Sequence, residues 1–147
     1  MFSAIVVGTD GSDTAHEAVR KAAALARLSS APLHVVTAYG ATTAVSALAG
    51  AAGYANEALA LPQQRTDAQA LLERALAGID TDGLTVEVRA RQGEAADVLM
   101  SVAQDVKADL IVIGSRGMTG ARRFILGSVP NRVAHHAECS VHIVHTC

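Results

Sequence analysis

Leu110-Ile111-Val112-Ile113-Gly114-Ser115-Arg116-Gly117 runs from four aliphatic residues straight into a glycine turn, and Gly127-Ser128 follows after nine intervening residues. A short, wholly apolar run bounded by turn residues reads as a buried central strand. Val129 to His136 beyond it reads as a short helix. A glycine turn after a strand, then a Gly-Ser step at a helix start, offers backbone N–H groups and a helix dipole to an anion. A nucleotide is therefore the leading ligand.

The same alternation extends to both ends of the chain. Ala4 to Gly8 (AIVVG) is another buried strand. Ser12 or Asp13 caps a helix in which Ala15, Ala18, Val19, Ala22, Leu25 and Ala26 recur at helical spacing, and Ser29-Ser30-Ala31-Pro32 stops it. Leu33 to Tyr39 is a strand. Gly40 to Leu61, rich in Ala and Gly, reads as a mobile loop with room for a short helical turn, long for a compact domain. Pro62 precedes a helix that sets Ala68, Leu71, Leu72, Ala75 and Ile79 on one face, and Asp80 to Gly83 is a turn. Thr85 to Arg91 alternates, with Val86, Val88 and Ala90 on one side and Glu87, Arg89 and Arg91 on the other, as in a half-exposed edge strand. Ala95 to Asp105 is a helix with Ala95, Val98, Leu99 and Val102 inward. Val141 to His145 is a last strand whose two histidines again suggest an edge.

This succession predicts an α/β fold with an open five-stranded parallel sheet and helices on both faces, Rossmann-like. The third and fifth strands are the polar ones. A strand order of 3-2-1-4-5 puts them at the edges and sets the apolar first and fourth strands side by side. The order then reverses between strands one and four, where ligands of open α/β sheets bind. The segments meeting there are Gly8-Thr9-Asp10-Gly11 and Gly114-Ser115-Arg116-Gly117.

The bulk numbers narrow the function classes. The 147 residues suit one domain, 1–147, and half of them are hydrophobic while 3% are aromatic, so the core is built from Ala, Val, Leu and Ile. A net charge of −2 gives no argument for nucleic acid or a membrane surface. The N-terminal MFSAIVVGTDGS lacks the regions of a signal peptide, and the uncharged run from Leu28 to Asn56 is too rich in Ala, Gly, Ser and Thr to span a bilayer. A cytoplasmic location is expected. Cys139 and Cys147, separated by a strand, lie roughly 25 Å apart at ~3.3 Å per residue, too far for an intrachain disulfide. The six histidines show no metal-ligand spacing. Neither GxxxxGK[ST] nor GxSxG occurs, the only lysines are Lys21 and Lys107, and no catalytic residue is assigned. Any phosphate site leans on arginines (Arg116, Arg122, Arg123) and backbone amides.

Spacing alone leaves a bland alternative: Gly114, Gly117, Gly127 and Ser128 as an ordinary turn plus a helix cap, and Asp10 as a turn aspartate. GSRGMTGARRFILGSV resembles the universal stress protein family, whose ATP-binding members carry G-x2-G-x9-G-[ST], matched here at Gly114, Gly117, Gly127 and Ser128. The likeness extends to VVGTDGS near the N-terminus and CSVHIVH at the end, and so spans the chain. The resemblance implies an ATP-binding regulatory protein of the stress response. It places Asp10 beside the adenosine, the Ala38 backbone against adenine, and Gly8, Thr9, Ile113, Gly114, Arg116, Gly117, Gly127, Ser128 and Val129 around the rest of the nucleotide, with magnesium an option alongside ATP. It also implies a homodimer paired antiparallel through the last strand. Centred near Ile143, that pairing sets Cys139 opposite Cys147 of the second copy. Pro130 departs from the family, which often has a phosphate-touching hydroxyl there, so AMP and cyclic AMP stay open beside ATP. Slow ATP hydrolysis at the same site and a nucleotide-independent interaction module are the remaining alternatives.

Overall fold

The computed structural model describes residues 1–41, 57–116 and 126–145. The elements run β1 (Ile5–Gly8), α1 (Asp13–Ser29), β2 (Leu33–Tyr39), α2 (Glu57–Ala77), β3 (Val86–Gln92), α3 (Ala95–Asp105), β4 (Leu110–Gly114), α4 (Ser128–His136) and β5 (Ser140–Val144). All five strands are parallel, in the order β3-β2-β1-β4-β5. The order that strand polarity predicted is the order found.

Side-chain alternation divides the core into two layers. Ile5 and Val7 of β1, with Leu33, Val35, Leu110 and Val112, pack against Ala18, Val19, Ala22 and Ala26 of α1 and Leu72 of α2. Val6, Val36, Ile111 and Ile113 point the other way, onto Val98, Leu99 and Val102 of α3 and Val133 of α4. Each fully buried Val or Ile contributes about 1.5–3 kcal/mol relative to exposure. The alanine face of α1 brings that helix close to the sheet. At the end of β4, a Cβ on Gly114 would lie 2.8 Å from Thr14 Cγ2 and 3.1 Å from the Thr14 main chain.

The helix ends follow local chemistry. Ser12 Oγ accepts the Ala15 N–H at 3.2 Å and caps α1. Ser30 closes it in the left-handed conformation (φ 53°), with the Ala31 N–H donating to Ala26 O at 3.0 Å. At the opposite end of the sheet from the glycine turns, the Asp109 carboxylate accepts the Ser3 N–H at 3.0 Å and ties the N-terminal segment to β4. These bonds hold the Asp109 carboxyl below the usual aspartate range, the Ser3 N–H being the largest cause.

Three expectations need correction. The loop expected from Gly40 to Leu61 includes helix: α2 starts at Glu57, and Pro62 lies inside it rather than before it. The Glu-Ala-Leu-Ala-Leu run ahead of Pro62 has high helix propensity, and a proline this near the N-terminus removes only one helical bond. Residues 42–56 of that expected loop lie outside the described residues. The helix also ends at Ala77, so Ile79 packs on the core from the following turn. Lastly, β3 is an edge strand as expected, but its inward face is only partly covered, and Val88 is 46% exposed. Arg89 and Arg91 are correspondingly half-buried, in ion pairs with Glu87 and Asp105, each at 2.7 Å.

Candidate functional site

The carboxyl ends of β1, β2 and β4 surround a cavity of about 320 Å³. It sits where the strand order reverses between β1 and β4. From β1, the Thr9 N–H donates to Val36 O at 2.9 Å, which extends the sheet by one bond before the chain turns. Gly11 (φ +80°) makes the turn. Asp10 Oδ1 accepts the Ser12 N–H at 2.9 Å, an Asx turn that aims the chain into α1. Gly8, Thr9 and Asp10 form this wall of the cavity, and Ala15 of α1 stands behind them.

The opposite wall comes from β4 and α4. Ser115 donates its N–H to Val144 O at 2.8 Å and accepts the Gly127 N–H at 2.9 Å. That second bond fixes the start of α4 against the end of β4. Ile113, Gly114, Arg116, Gly127, Ser128 and Val129 line the cavity from this side. Gly127 is the N-cap of α4 and offers no side-chain cap. The Ser115 hydroxyl is buried (2% exposed) and has no hydrogen-bond partner among the described residues.

The structure thus brings every expected site residue to one cavity except Gly117, which lies outside the described residues together with Arg122 and Arg123. Ala38 lies in the wall formed by β2. Gly114 also serves packing. Its missing Cβ makes room for Thr14, while Gly114 itself lines the cavity. Gly8 shows the same logic on the other face, where an added Cβ would meet Leu99 Cδ1 at 2.9 Å.

Sequence reasoning missed the floor. Val36, Ala95, Val98 and Leu99 line the cavity, as does Pro130. Val98 and Leu99 read as core in the sequence, and they are core; the cavity opens over the end of the same apolar layer. The only available signal was that Ala95 and Val98 open a helix just after the C-terminal end of a strand. The surface is therefore an apolar floor with polar walls, suited to a flat heterocycle and a polar tail. Among the described lining residues Asp10 is the one carboxylate and Arg116 the one guanidinium. Among the described residues no group of three or more His, Cys, Asp and Glu side chains could hold a metal, and no helix is long and apolar enough to cross a membrane. Cys139 is a free, half-buried thiol whose pKa is raised, first by desolvation and then by nearby Asp109.

Comparison with known proteins agrees with this geometry. The model of the "Universal stress protein family" matches residues 1–145. A universal stress protein of Mycobacterium tuberculosis is 34% identical over 149 aligned positions, covering 99% of this chain and 97% of its own length. A universal stress protein solved in complex with cAMP is 34% identical, superposes with a TM-score of 0.65 and is covered over 98% of its length by 99% of this chain. A universal stress protein from Archaeoglobus fulgidus solved in complex with dAMP is 26% identical, with a TM-score of 0.58 and 97% of each chain covered.

Proposed function

The chain belongs to the universal stress protein family, and on that premise we propose that it binds an adenine nucleotide in the switch-point cavity and acts as a regulatory protein. The observation that carries the reading is the convergence of Gly8-Thr9-Asp10, Ala38 and Gly127-Ser128-Val129 on one cavity. The apolar floor of Val98 and Leu99 suits a purine, and the start of α4 suits a phosphate. The relatives solved with cAMP and dAMP support the adenine nucleotide. The matched spacing G-x2-G-x9-G-[ST] supports ATP as a member of the ligand class, with magnesium then held through the ligand's phosphates.

The described lining supports a regulatory rather than catalytic role. Its only described carboxylate, Asp10, is engaged in its own turn, and no lysine lines the described cavity. The physiological signal would be a stress-linked change in nucleotide level. The outer edge of β5 suits a homodimer paired strand to strand.

Native mass spectrometry of gently purified protein, followed by calorimetry with ATP, AMP and cyclic AMP against GTP, tests the reading. Binding of at least one adenine nucleotide in preference to GTP is the expected result. Failure of all three to bind removes the reading. Sedimentation velocity showing only monomer removes the dimer.

A further inference from the structure

We propose that the outer edge of β3 docks a second copy of this chain, paired antiparallel across a twofold axis at Val88. Among the described strands β3 pairs only with β2 and ends the sheet on that side. The Leu33 N–H donates to Thr85 O at 2.8 Å, and the Gly93 N–H donates to Tyr39 O at 2.9 Å. The ladder alternates between those two bonds, so Glu87, Arg89 and Arg91 turn their backbone groups toward β2. Val86, Val88 and Ala90 turn theirs to the open edge, where no described residue bonds to them.

Sheet edges that stay single are blunted by a proline, a bulge or an unmatched charge. β3 has seven residues, no proline and an unbroken register with β2. Its charges match a copy of themselves. A twofold axis at Val88 sets Glu87 opposite the partner's Arg89, and Arg89 opposite the partner's Glu87. An axis at Glu87 or at Arg89 would set that residue against its own copy, and one at Ala90 would set Arg89 against the partner's Arg91. Glu87 and Arg89 already form an ion pair within the chain at 2.7 Å. The axis at Val88 joins two such pairs into one network.

The other face of β3 supplies the apolar contact. Val86 and Ala90 pack on the layer under α1 and α2, while Val88 between them is 46% exposed. The same axis lays Val88 against the partner's Val88 and Val86 against the partner's Ala90. These are the residues whose backbone groups face the open edge, so each pair exchanges N–H···O bonds in both directions. Backbone, apolar and charged groups thus agree on one register. The edge of β5 lies at the far end of the sheet, so its pairing does not compete with this one. The nucleotide cavities of the two copies open to opposite sides, because the paired strands run in opposite directions.

The test is amide hydrogen exchange by nuclear magnetic resonance on the full chain under reducing conditions. It is run at roughly 10 μM and roughly 1 mM protein, a span suited to a weak contact. The natural protein should show exchange at Val86, Val88 and Ala90 slowing about tenfold or more at the higher concentration. Val88→Lys, which sets two like charges on the axis, should abolish that slowing. So should Glu87→Arg, which faces arginine with arginine, and Glu87→Arg combined with Arg89→Glu should restore it. Circular dichroism checks the fold of each variant. Should either charge variant fail to fold, Val88→Lys and the concentration dependence of the natural protein decide. Exchange at these three amides that ignores concentration overturns the proposal. Slowing confined to β5 also overturns it and leaves the other dimer intact. Slowing that survives in folded Val88→Lys, or that the folded double variant does not regain, overturns the register at Val88.

Discussion

Two helices begin at the cavity, and they begin in opposite ways. α1 seals its own start: Ser12 Oγ accepts the Ala15 N–H, Asp10 accepts the Ser12 N–H, and Asp13 sits in the first turn against the positive end of the dipole. α4 has a glycine N-cap, no side-chain cap bond and no acidic residue in its first turn. A carboxylate near a helix start is worth about 0.3–1 kcal/mol. The chain supplies that compensation to α1 and withholds it from α4. An anion therefore has a reason to sit at α4 and a reason to avoid α1, although both starts face one space.

The largest expected effect comes from the spacing between these two starts. Gly114→Val would put a side chain where Thr14 now lies, with the Thr14 main chain only 3.1 Å from the added Cβ. The Thr14 side chain can turn away, but its backbone cannot, so the start of α1 must retreat from β4. Overpacking of this kind costs about 1–3 kcal/mol. Urea unfolding should show that loss, and nucleotide affinity should fall with it because the wall carrying Asp10 shifts. An unchanged midpoint would mean that β4 does not fix α1.

A smaller pair of changes separates the two starts directly. Ser128→Asp supplies α4 with the carboxylate it lacks. Stability should rise by about 0.3–1 kcal/mol, while nucleotide affinity falls about tenfold or more through repulsion of the phosphate. Asp13→Asn does the reverse to α1, lowering stability by about 0.3–1 kcal/mol and leaving affinity unchanged. Thermal melts and calorimetry on both variants read all four quantities. If stability and affinity move together in Ser128→Asp, α4 is not the end that holds the anion.

The difference between the two starts was half visible in the sequence. Ser12 and Asp13 ahead of an alanine-rich helix announce a capped N-terminus, and Gly127-Ser128 ahead of Val129-Pro130 announces an open one. The sheet was legible too, because Glu87, Arg89 and Arg91 in β3 and His142 in β5 mark edges that the aliphatic runs of β1 and β4 do not. What stayed hidden were matters of distance. Gly114 reads as a cavity-lining glycine, and only the structure shows that Thr14 packs against it as well. The bond from the Gly127 N–H to Ser115 O joins residues 12 apart in the chain and removes a donor that spacing alone would grant to a phosphate. Val98 and Leu99 serve the core and the cavity with the same side chains, so their apolar spacing carries no separate signal for the second role.

Acidification offers the gentlest way to pull stability and ligand binding apart, through a residue at neither helix start. His34 lies near the beginning of β2, 5% exposed, whereas Ala38 near the end of the same strand lines the cavity. Its Nδ1 has no hydrogen-bond partner among the described residues and stands 3.5 Å from Glu87 Oε2, a carboxylate that Arg89 already holds at 2.7 Å. Burial pushes the His34 pKa below its ordinary value of 6.5; Glu87 pulls it up, and Arg89 adds to the lowering. The unfolded chain then takes up a proton that the folded chain still refuses. The His34 contribution to stability is whole above the ordinary histidine pKa, declines as pH falls below it, and stops declining once the folded pKa is passed. The melting temperature should drop from about pH 7 to about pH 5, and His34→Gln should remove the part of that drop due to this imidazole. Affinity for cyclic AMP, whose phosphodiester keeps one charge throughout, should stay level while the protein remains folded. A fall in affinity parallel to the fall in stability, abolished by His34→Gln, would show that the start of β2 and the two helix starts are one coupled unit rather than separate regions.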